Sequence, residues 1–351
     1  MNILFIVSSL KHGGAEKQAV TDANLFSEKH NVFVVTFVNG ELKGLLNDKV
    51  KLIVLEKKGY LGTAKILRNI LEKENINVIN ASLFASMIIS CLAAKKNNVP
   101  VIWYFHSHEY DIQLKSRIAF NYFSKYGCLK KILFVSNELK DSMKFNNKFN
   151  FPEIKQDVLY NTSTVCTKYE IEKKNNDTVI IGFLGRLAGL KRVDYLIELA
   201  VYLNNNKINN FVINIAGDGE CKNDLIEYAK KSGVSDKINF RGFQSDVSAQ
   251  YESFDIFVLP SKEECLSIAL IDACAKGLPC VAFDIGGNNE IITNGKSGYL
   301  VNSKDEFFDK VKLLIGDAEK RKELGSEARK YCTEKFNIKK RIDYLEKLFR
   351  N

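Results

Sequence analysis

Short runs of Val, Ile, Leu and Phe, each followed by a stretch of helical length, recur from one end of the chain to the other. That alternation constrains the fold more than any other feature, because continuously apolar strands separated by helices form parallel sheets covered on both faces. In the first half the strand candidates are Asn2–Ser8, Val32–Phe37, Lys51–Leu55, Val78–Asn80, Val101–Phe105, Lys131–Val135 and Asp157–Tyr160, with helical patterns such as Ala15–Lys29 and Ala64–Glu74 among them. The rhythm restarts at Thr178–Leu184 and continues through Val212–Ala216, Ile238–Arg241, Ile256–Leu259 and Cys280–Phe283. Helices are expected there over Val193–Asn204, Lys222–Ser232 and Leu266–Ala275. The polar stretch Ser163–Asp177, with its charge run Glu170–Lys174, separates the halves. At roughly 100–200 residues per domain, a chain of this length holds about two. The expected organisation is therefore two doubly wound α/β units, residues 1–165 and 166–334. Ligands of such sheets bind outside the carboxyl ends of the strands, and two facing units place that site in the cleft between them. The closing stretch Lys335–Arg350 reads as an amphipathic helix that either caps the second unit or crosses back to the first.

Composition excludes several classes. With 46% hydrophobic and 26% charged residues the chain is not low-complexity, collagen-like or disordered. No apolar run reaches the ~18–20 residues of a membrane span. The start, Met1 to Gly14, lacks the basic leader and small-residue cleavage site of a signal peptide and reads as a first buried strand. The 8 cysteines show no CxxC pair and no metal-ligand spacing, so they are expected to be small core residues of a reducing, cytoplasmic compartment. Charge is uneven: residues 1–170 carry 23 Lys and Arg against 15 Asp and Glu, whereas residues 171–351 carry 28 against 27. A basic half can face nucleic acid, anionic lipid or a phosphorylated substrate, and can equally be a solvated lysine-rich surface.

The strongest local signal is Pro260-Ser-Lys-Glu-Glu-Cys-Leu-Ser-Ile-Ala-Leu-Ile-Asp-Ala-Cys-Ala-Lys-Gly-Leu-Pro279. A strand ends at Pro260, Glu264 lies in the turn, and a helix carrying Asp272 follows and closes at Gly277. Two acids so spaced can grip hydroxyls on two parts of one elongated ligand, and the backbone N–H groups around Leu266 and Ser267 would serve an anion. The ordinary alternative is a capping carboxylate at Glu264 and a solvated Asp272. A second signal, Gly182 to Asp194, leaves the first strand of the second unit. There Gly185 permits close backbone approach, and Arg186 and Lys191 can converge on a diphosphate. A third is the glycine turn Ser8-Ser-Leu-Lys-His-Gly13-Gly14-Ala-Glu16, which is neither GxGxxG nor GxxxxGK[ST], so the dinucleotide and P-loop fingerprints both fail. A fourth is His106 at the carboxyl end of a strand, where ligands bind, with an exposed loop histidine as the alternative. Gly217–Gly219 and Arg241-Gly242-Phe243 also follow strands, though Phe243 could equally be core.

Together, GGAE after the first strand, GRLxxxK opening the second unit and PSxxEC…DACAKGLPCVAFDIGG resemble the retaining, nucleotide-sugar-dependent glycosyltransferases of family 4. The resemblance covers nearly the whole chain and is densest over residues 178–300. It implies the GT-B fold, two facing Rossmann-like domains, with a last helix (residues 335–351) packing back on the first. It also implies a donor held mainly by the second domain. Arg186 and Lys191 would neutralise the diphosphate, Glu264 would bind sugar hydroxyls, the turn Cys265-Leu266-Ser267 would help hold the donor, and Asp272 would hold the ribose. Arg241, Gly242 and Phe243 would flank the base, Gly13, Gly14 and Gly185 would let backbone approach the phosphates, and His106 would face the reacting sugar from the acceptor side. The sequence departs from the family pattern in three places. The second acid of Glu-x7-Glu is Asp272, Cys265-Leu266 replace Gly-Phe, and Asn289 replaces the Pro before Glu290.

The function this implies is transfer of a sugar, from a UDP-sugar most simply, to a glycan hydroxyl on a lipid-linked acceptor in bacterial surface-polysaccharide synthesis. The basic first domain would rest on an anionic membrane surface, and no nucleic-acid partner is expected. No Asp-x-Asp closes an apolar strand, so no catalytic metal or other cofactor is expected either. Nucleotide-sugar epimerases and phosphorylases share the architecture: the first would turn over donor without acceptor, the second would require phosphate. A non-catalytic sugar-binding subunit would bind nucleotide sugar without turnover. A nicotinamide dehydrogenase fits the fold class but lacks its glycine fingerprint.

Overall fold

The apolar runs bury themselves by pairing in parallel, as their lack of polar alternation requires. In the computed structural model, described for all residues except 12, 108–113, 124, 146–153, 164, 166–177 and 351 (and excluding the side chains of 114–117 and 144–145), the chain divides into two units. One comprises Met1–Asn161 with Ile338–Asn351, the other Thr162–Asn337. Most of the polar segment Ser163–Asp177, and Cys166 with it, lies outside the described residues.

The first unit is a seven-stranded parallel sheet: β1 (Asn2–Val7), β2 (Asn31–Thr36), β3 (Val50–Val54), β4 (Val78–Ser82), β5 (Val101–Phe105), β6 (Leu129–Phe134) and β7 (Lys155–Val158), in the order β3-β2-β1-β4-β5-β6-β7. Its helices are α1 (Gly14–Phe26), α2 (Gly59–Lys73), α3 (Phe84–Ala94), α4 (Leu114–Phe123) and α5 (Asn137–Phe145). The order reverses direction after β3. Right-handed crossovers therefore put α1 on one face and α2, α3 and α4 on the other. Every residue of β5, VIWYF, is buried.

The second unit repeats the plan with β8 (Val179–Leu184), β9 (Phe211–Ala216), β10 (Ile238–Gly242), β11 (Ile256–Leu259), β12 (Cys280–Phe283) and β13 (Tyr299–Val301), ordered β10-β9-β8-β11-β12-β13. Around it lie α6 (Asp194–Asn205), α7 (Lys222–Lys231), α8 (Val247–Glu252), α9 (Ile268–Ala275), α10 (Lys304–Gly316) and α11 (Ala318–Lys335). As expected, α9 closes at Gly277, whose φ of +79° is the left-handed conformation a C-terminal glycine supplies.

The strand candidates all appear, shifted by a residue or two. The closing helix is shorter than expected: α11 ends at Lys335, Phe336 leaves helical geometry (φ −98°, ψ 40°), and α12 spans Ile338–Arg350. This helix belongs to the first unit. Phe349 packs against Phe26 and Phe5, with ring centroids 5.2 and 6.2 Å away. Its buried line is Arg341, Leu345 and Phe349, so a cation sits within the apolar stripe.

Candidate functional site

In the second unit, three loops meet at the carboxyl end of the sheet. After β8, Gly185 and Leu187 donate backbone hydrogen bonds to Ala216 and Asp218, which moors the loop to the end of β9. The chain then turns through Gly189–Lys191, and Arg192 in left-handed geometry (φ +47°) feeds α6. The loop after β11 is tied to this turn by Lys262 N–H donating to the Leu190 carbonyl at 2.7 Å. The loop after β12 reaches it through Gly287 N–H and the Cys265 carbonyl at 3.0 Å.

This convergence joins Lys191 to Glu264, 73 residues apart in sequence: Nζ lies 2.6 Å from Oε1, and Ser261 Oγ donates to the same oxygen at 2.7 Å. The Glu264 side chain is 9% exposed and that of Lys191 28%, so the pair is largely sheltered from solvent. A charge-assisted bond in such a place holds both groups in one geometry. Gly286 makes the approach possible. Its φ is +50°, and a Cβ there would lie 1.6 Å from the Glu264 carbonyl oxygen. Gly286→Ala is expected to cost about 1–3 kcal/mol through that clash. Urea unfolding would read this as a lowered midpoint, and an unchanged midpoint would show that the two loops can separate freely.

Arg186 takes a different partner. Its guanidinium pairs with Glu220 (Nη2 to Oε2, 3.2 Å), with both side chains exposed. Exposed pairs contribute little, so an incoming anion can take Glu220's place at small cost. Asp272 is not solvated. It is fully buried in α9, and Ser163 Oγ donates to its Oδ1 at 2.9 Å. The solvated alternative therefore falls, and the carboxylate takes a hydrogen bond from a hydroxyl of the segment that opens this unit. The helix starts two residues later than expected, with Ser267 as N-cap accepting from Leu270 N–H at 3.3 Å. Leu266 is buried. Arg241 and Gly242 (φ +67°) end β10, and the Gly242 carbonyl accepts from Gly217 N–H. Phe243 is exposed, which removes its core reading.

In the first unit, Gly13 caps α1 in extended geometry and Gly14 is its first residue. Glu16 folds back over this turn and accepts from Ser9 Oγ at 3.0 Å. His106 follows β5, where it contacts Ser82 Oγ (Nε2 at 3.2 Å) and packs on the Tyr104 ring, centroids 4.0 Å apart. Among the described residues, its buried Nδ1, the Ser107 hydroxyl and the Asn80 amide nitrogen have no hydrogen-bond partner, which leaves polar atoms available at this strand end. Burial, reinforced by the positive charge of Arg341, pushes the His106 pKa down to about 3. The imidazole is thus neutral at physiological pH and can accept or donate one hydrogen bond through each nitrogen. A resonance of His106 is expected to show no titration between about pH 5 and 8, against about 6.5 for a free histidine. Stability should fall as pH drops from 6.5 towards 3, because only the unfolded chain takes up that proton. A histidine titrating near 6.5 in the folded protein would overturn the assignment.

Arg341 is the residue that periodicity alone does not reveal. Its Nε and Nη2 bond both carboxylate oxygens of Asp22 at 2.8 and 2.6 Å, and its Nη1 reaches Tyr104 OH at 2.9 Å and the Tyr160 carbonyl at 2.6 Å. The signal was a lone arginine in the apolar stripe of the last helix. Ser261, partner of Glu264, lies in the PSxxEC motif but was given no role there, and Ser163, partner of Asp272, carried no signal of its own.

Comparison with known proteins gives these features a context. Residues 12–162 match the family model described as Glycosyltransferase Family 4, and residues 167–331 match Glycosyl transferases group 1. The chain is 27% identical to a Campylobacter jejuni GalNAc-alpha-(1->4)-GalNAc-alpha-(1->3)-diNAcBac-PP-undecaprenol alpha-1,4-N-acetyl-D-galactosaminyltransferase, over 95% of this chain and 94% of that one. It is 23% identical to an Escherichia coli UDP-Gal:alpha-D-GlcNAc-diphosphoundecaprenol alpha-1,3-galactosyltransferase, over 96% and 93%. The fold is similar to that of Anabaena HepE crystallised with UDP, with a TM-score of 0.84 and 18% identity over 100% of both chains.

Proposed function

The chain belongs to glycosyltransferase family 4, and from that premise we propose that it moves a hexose or N-acetylhexosamine from a UDP-sugar, with retention, to a hydroxyl of a lipid-diphosphate-linked glycan. Two full-length relatives named for undecaprenol-linked acceptors and for α-linked products support the acceptor class and the stereochemistry. The observation that carries the donor reading is the Lys191–Glu264–Ser261 constellation. Lys191 holds the donor diphosphate and the charge that develops on it. Glu264, oriented by Lys191 and Ser261, accepts hydrogen bonds from sugar hydroxyls. Arg186 leaves Glu220 to join the diphosphate, and Arg241 to Phe243 flank the base. Asp272 supports the ribose end from within α9 rather than by direct exposure.

On the acceptor side, neutral His106 orients the incoming hydroxyl. The acceptor oxygen bonds to the anomeric carbon on the face the diphosphate leaves, and the departing phosphate oxygen takes the acceptor's proton. The protein then contributes positioning and charge stabilisation, the large terms in such transfers. The reaction takes place at an anionic membrane surface, where such acceptors reside.

The experiment is a thermal-shift panel of UDP, GDP and ADP and their sugar conjugates on wild type and Lys191→Ala. The expected result is stabilisation by UDP and one UDP-sugar family that is lost in the variant; a ligand at about 100 times its Kd adds about 2.7 kcal/mol. Absence of any shift at millimolar nucleotide, or a shift untouched by the substitution, would reject the donor site.

A further inference from the structure

We propose that Ser163, and not Asp272 itself, is the residue that meets the donor's ribose. Its hydroxyl accepts a hydrogen bond from a ribose hydroxyl, while its own proton stays bonded to the buried Asp272 carboxylate. The proposal deepens the donor reading above and rests on it for the identity of the ligand.

Exposure separates the two members of the pair. Asp272 has none, whereas Ser163 is half-buried and is the member that solvent reaches. A carboxylate without accessible surface touches a ligand only if the structure opens, but the hydroxyl bonded to it can be reached as it stands. Seven of the eight residues of α9 are buried, so turning Asp272 outward would disturb the packing of the whole helix.

The bonds that Ser163 already makes select the ligand. A serine hydroxyl has one proton to give and two lone pairs to offer. Here the proton goes to Asp272 Oδ1 at 2.9 Å, and Val165 N–H approaches Oγ at 3.4 Å. Among the described residues no further donor reaches Oγ, so its remaining capacity is that of an acceptor. Phosphate oxygens, which bring no proton, find nothing to bind there; a ribose hydroxyl does. Linked hydrogen bonds polarise one another, so a hydroxyl whose proton is bonded to a carboxylate is strengthened as an acceptor.

The spacing suits one elongated ligand. Asp272 stands five residues beyond Ser267, the N-cap of α9, or about 7.5 Å along the helix axis. Glu264 precedes that cap. The two acceptors, Glu264 and Ser163, therefore serve hydroxyls at separate places, while the phosphates take their donors from Lys191 and Arg186. Val165, itself buried, anchors the short segment that carries Ser163.

The test is isothermal titration calorimetry of the full-length protein with UDP, 2′-deoxy-UDP and 3′-deoxy-UDP. Wild type should bind UDP about 10-fold or more tightly than at least one deoxy analogue, the size expected for one such hydrogen bond. Ser163→Ala should lose about 10-fold for UDP and keep its affinity for that analogue, so the two nucleotides converge. Ser163→Thr restores a hydroxyl and should separate them again. Ser163→Cys keeps a weak S–H donor for Asp272 but is a poor acceptor, so it should also lose the difference, and it decides the matter where the alanine variant does not fold. A serine that only secures the fold would weaken all three nucleotides together and leave their ratios unchanged, which would overturn the proposal. So would equal binding of the three nucleotides by wild type. Absence of UDP binding by wild type would reject the donor reading and this assignment with it, whereas UDP binding without ribose discrimination rejects this assignment alone.

Discussion

Lys191→Ala is expected to lower turnover about 100–1,000-fold, in line with removing one preorganised electrostatic contact to a developing charge. The geometry makes the effect larger than that of an ordinary surface lysine. Its ammonium is 2.6 Å from a carboxylate that is itself only 9% exposed, and the same oxygen already receives Ser261 Oγ. Removing the lysine does two things at once. The leaving diphosphate loses a cation, and Glu264 keeps one hydroxyl donor where it had a hydroxyl and a charge. Both effects grow as negative charge leaves the sugar for the phosphate, so the loss should fall on kcat more than on KM. Lys191→Arg should recover only part of it, because a planar fork does not reproduce a point charge in this turn. Glu264→Gln supplies the contrast: it keeps the cation and removes the charged acceptor, so its loss should fall more on sugar selectivity than on nucleotide affinity. Steady-state kinetics on both variants, with nucleotide binding measured separately, decides the matter. Lys191→Ala at near wild-type turnover would remove this lysine from the mechanism.

The strands were legible because parallel sheets buried on both faces are written as continuous apolar runs, and β5, VIWYF, shows this without ambiguity. Helices without an amphipathic signal were harder to read. α3, FASMIISCLAA, is apolar all round and so has no period, whereas α11 is polar almost throughout. β13 is three residues long, too short for any pattern. At the site, the family resemblance gives Lys191 and Glu264 separate roles, on the diphosphate and on sugar hydroxyls; that the two pair is seen only in the structure, where backbone bonds between Lys262 and Leu190 and the conformation of Gly286 bring their loops together. Side-chain identity does not encode those directly. The fate of Asp272 was hidden for a similar reason. It is buried within α9 and takes a hydrogen bond from Ser163, 109 residues earlier in the chain, and one missing methylene says nothing about which way the shortened carboxylate turns.

Arg341→Met is expected to destabilise the first unit by about 3–5 kcal/mol, the range for removing one partner of a buried ion pair. The guanidinium is almost wholly enclosed and saturates Asp22 with two bonds, while its third nitrogen bridges Tyr104 OH and the Tyr160 carbonyl. Methionine matches the length of the stem and fills the space, so the loss comes from uncompensated polar groups rather than from a cavity. Asp22 would keep only the Gln18 amide at 2.9 Å among the bonds that bind it here. Tyr104 would keep its bond to the Leu159 carbonyl. Removing both charges should restore much of the loss, since a buried pair replaced by apolar groups of similar volume is often neutral or better. The double variant Arg341→Met/Asp22→Leu is therefore expected to be more stable than Arg341→Met alone, and a double-mutant cycle gives the coupling. The single tryptophan, Trp103, is fully buried in β5 of this unit, so its fluorescence during urea unfolding reports the unit to which α12 is clasped. A loss below about 1 kcal/mol, the value of an exposed pair, would show that water reaches the guanidinium and that the helix is held by Leu345 and Phe349 alone. A loss in the expected range makes the final helix part of the fold that positions Tyr104 under His106, and a truncation before Ile338 should then unfold the first unit before the second.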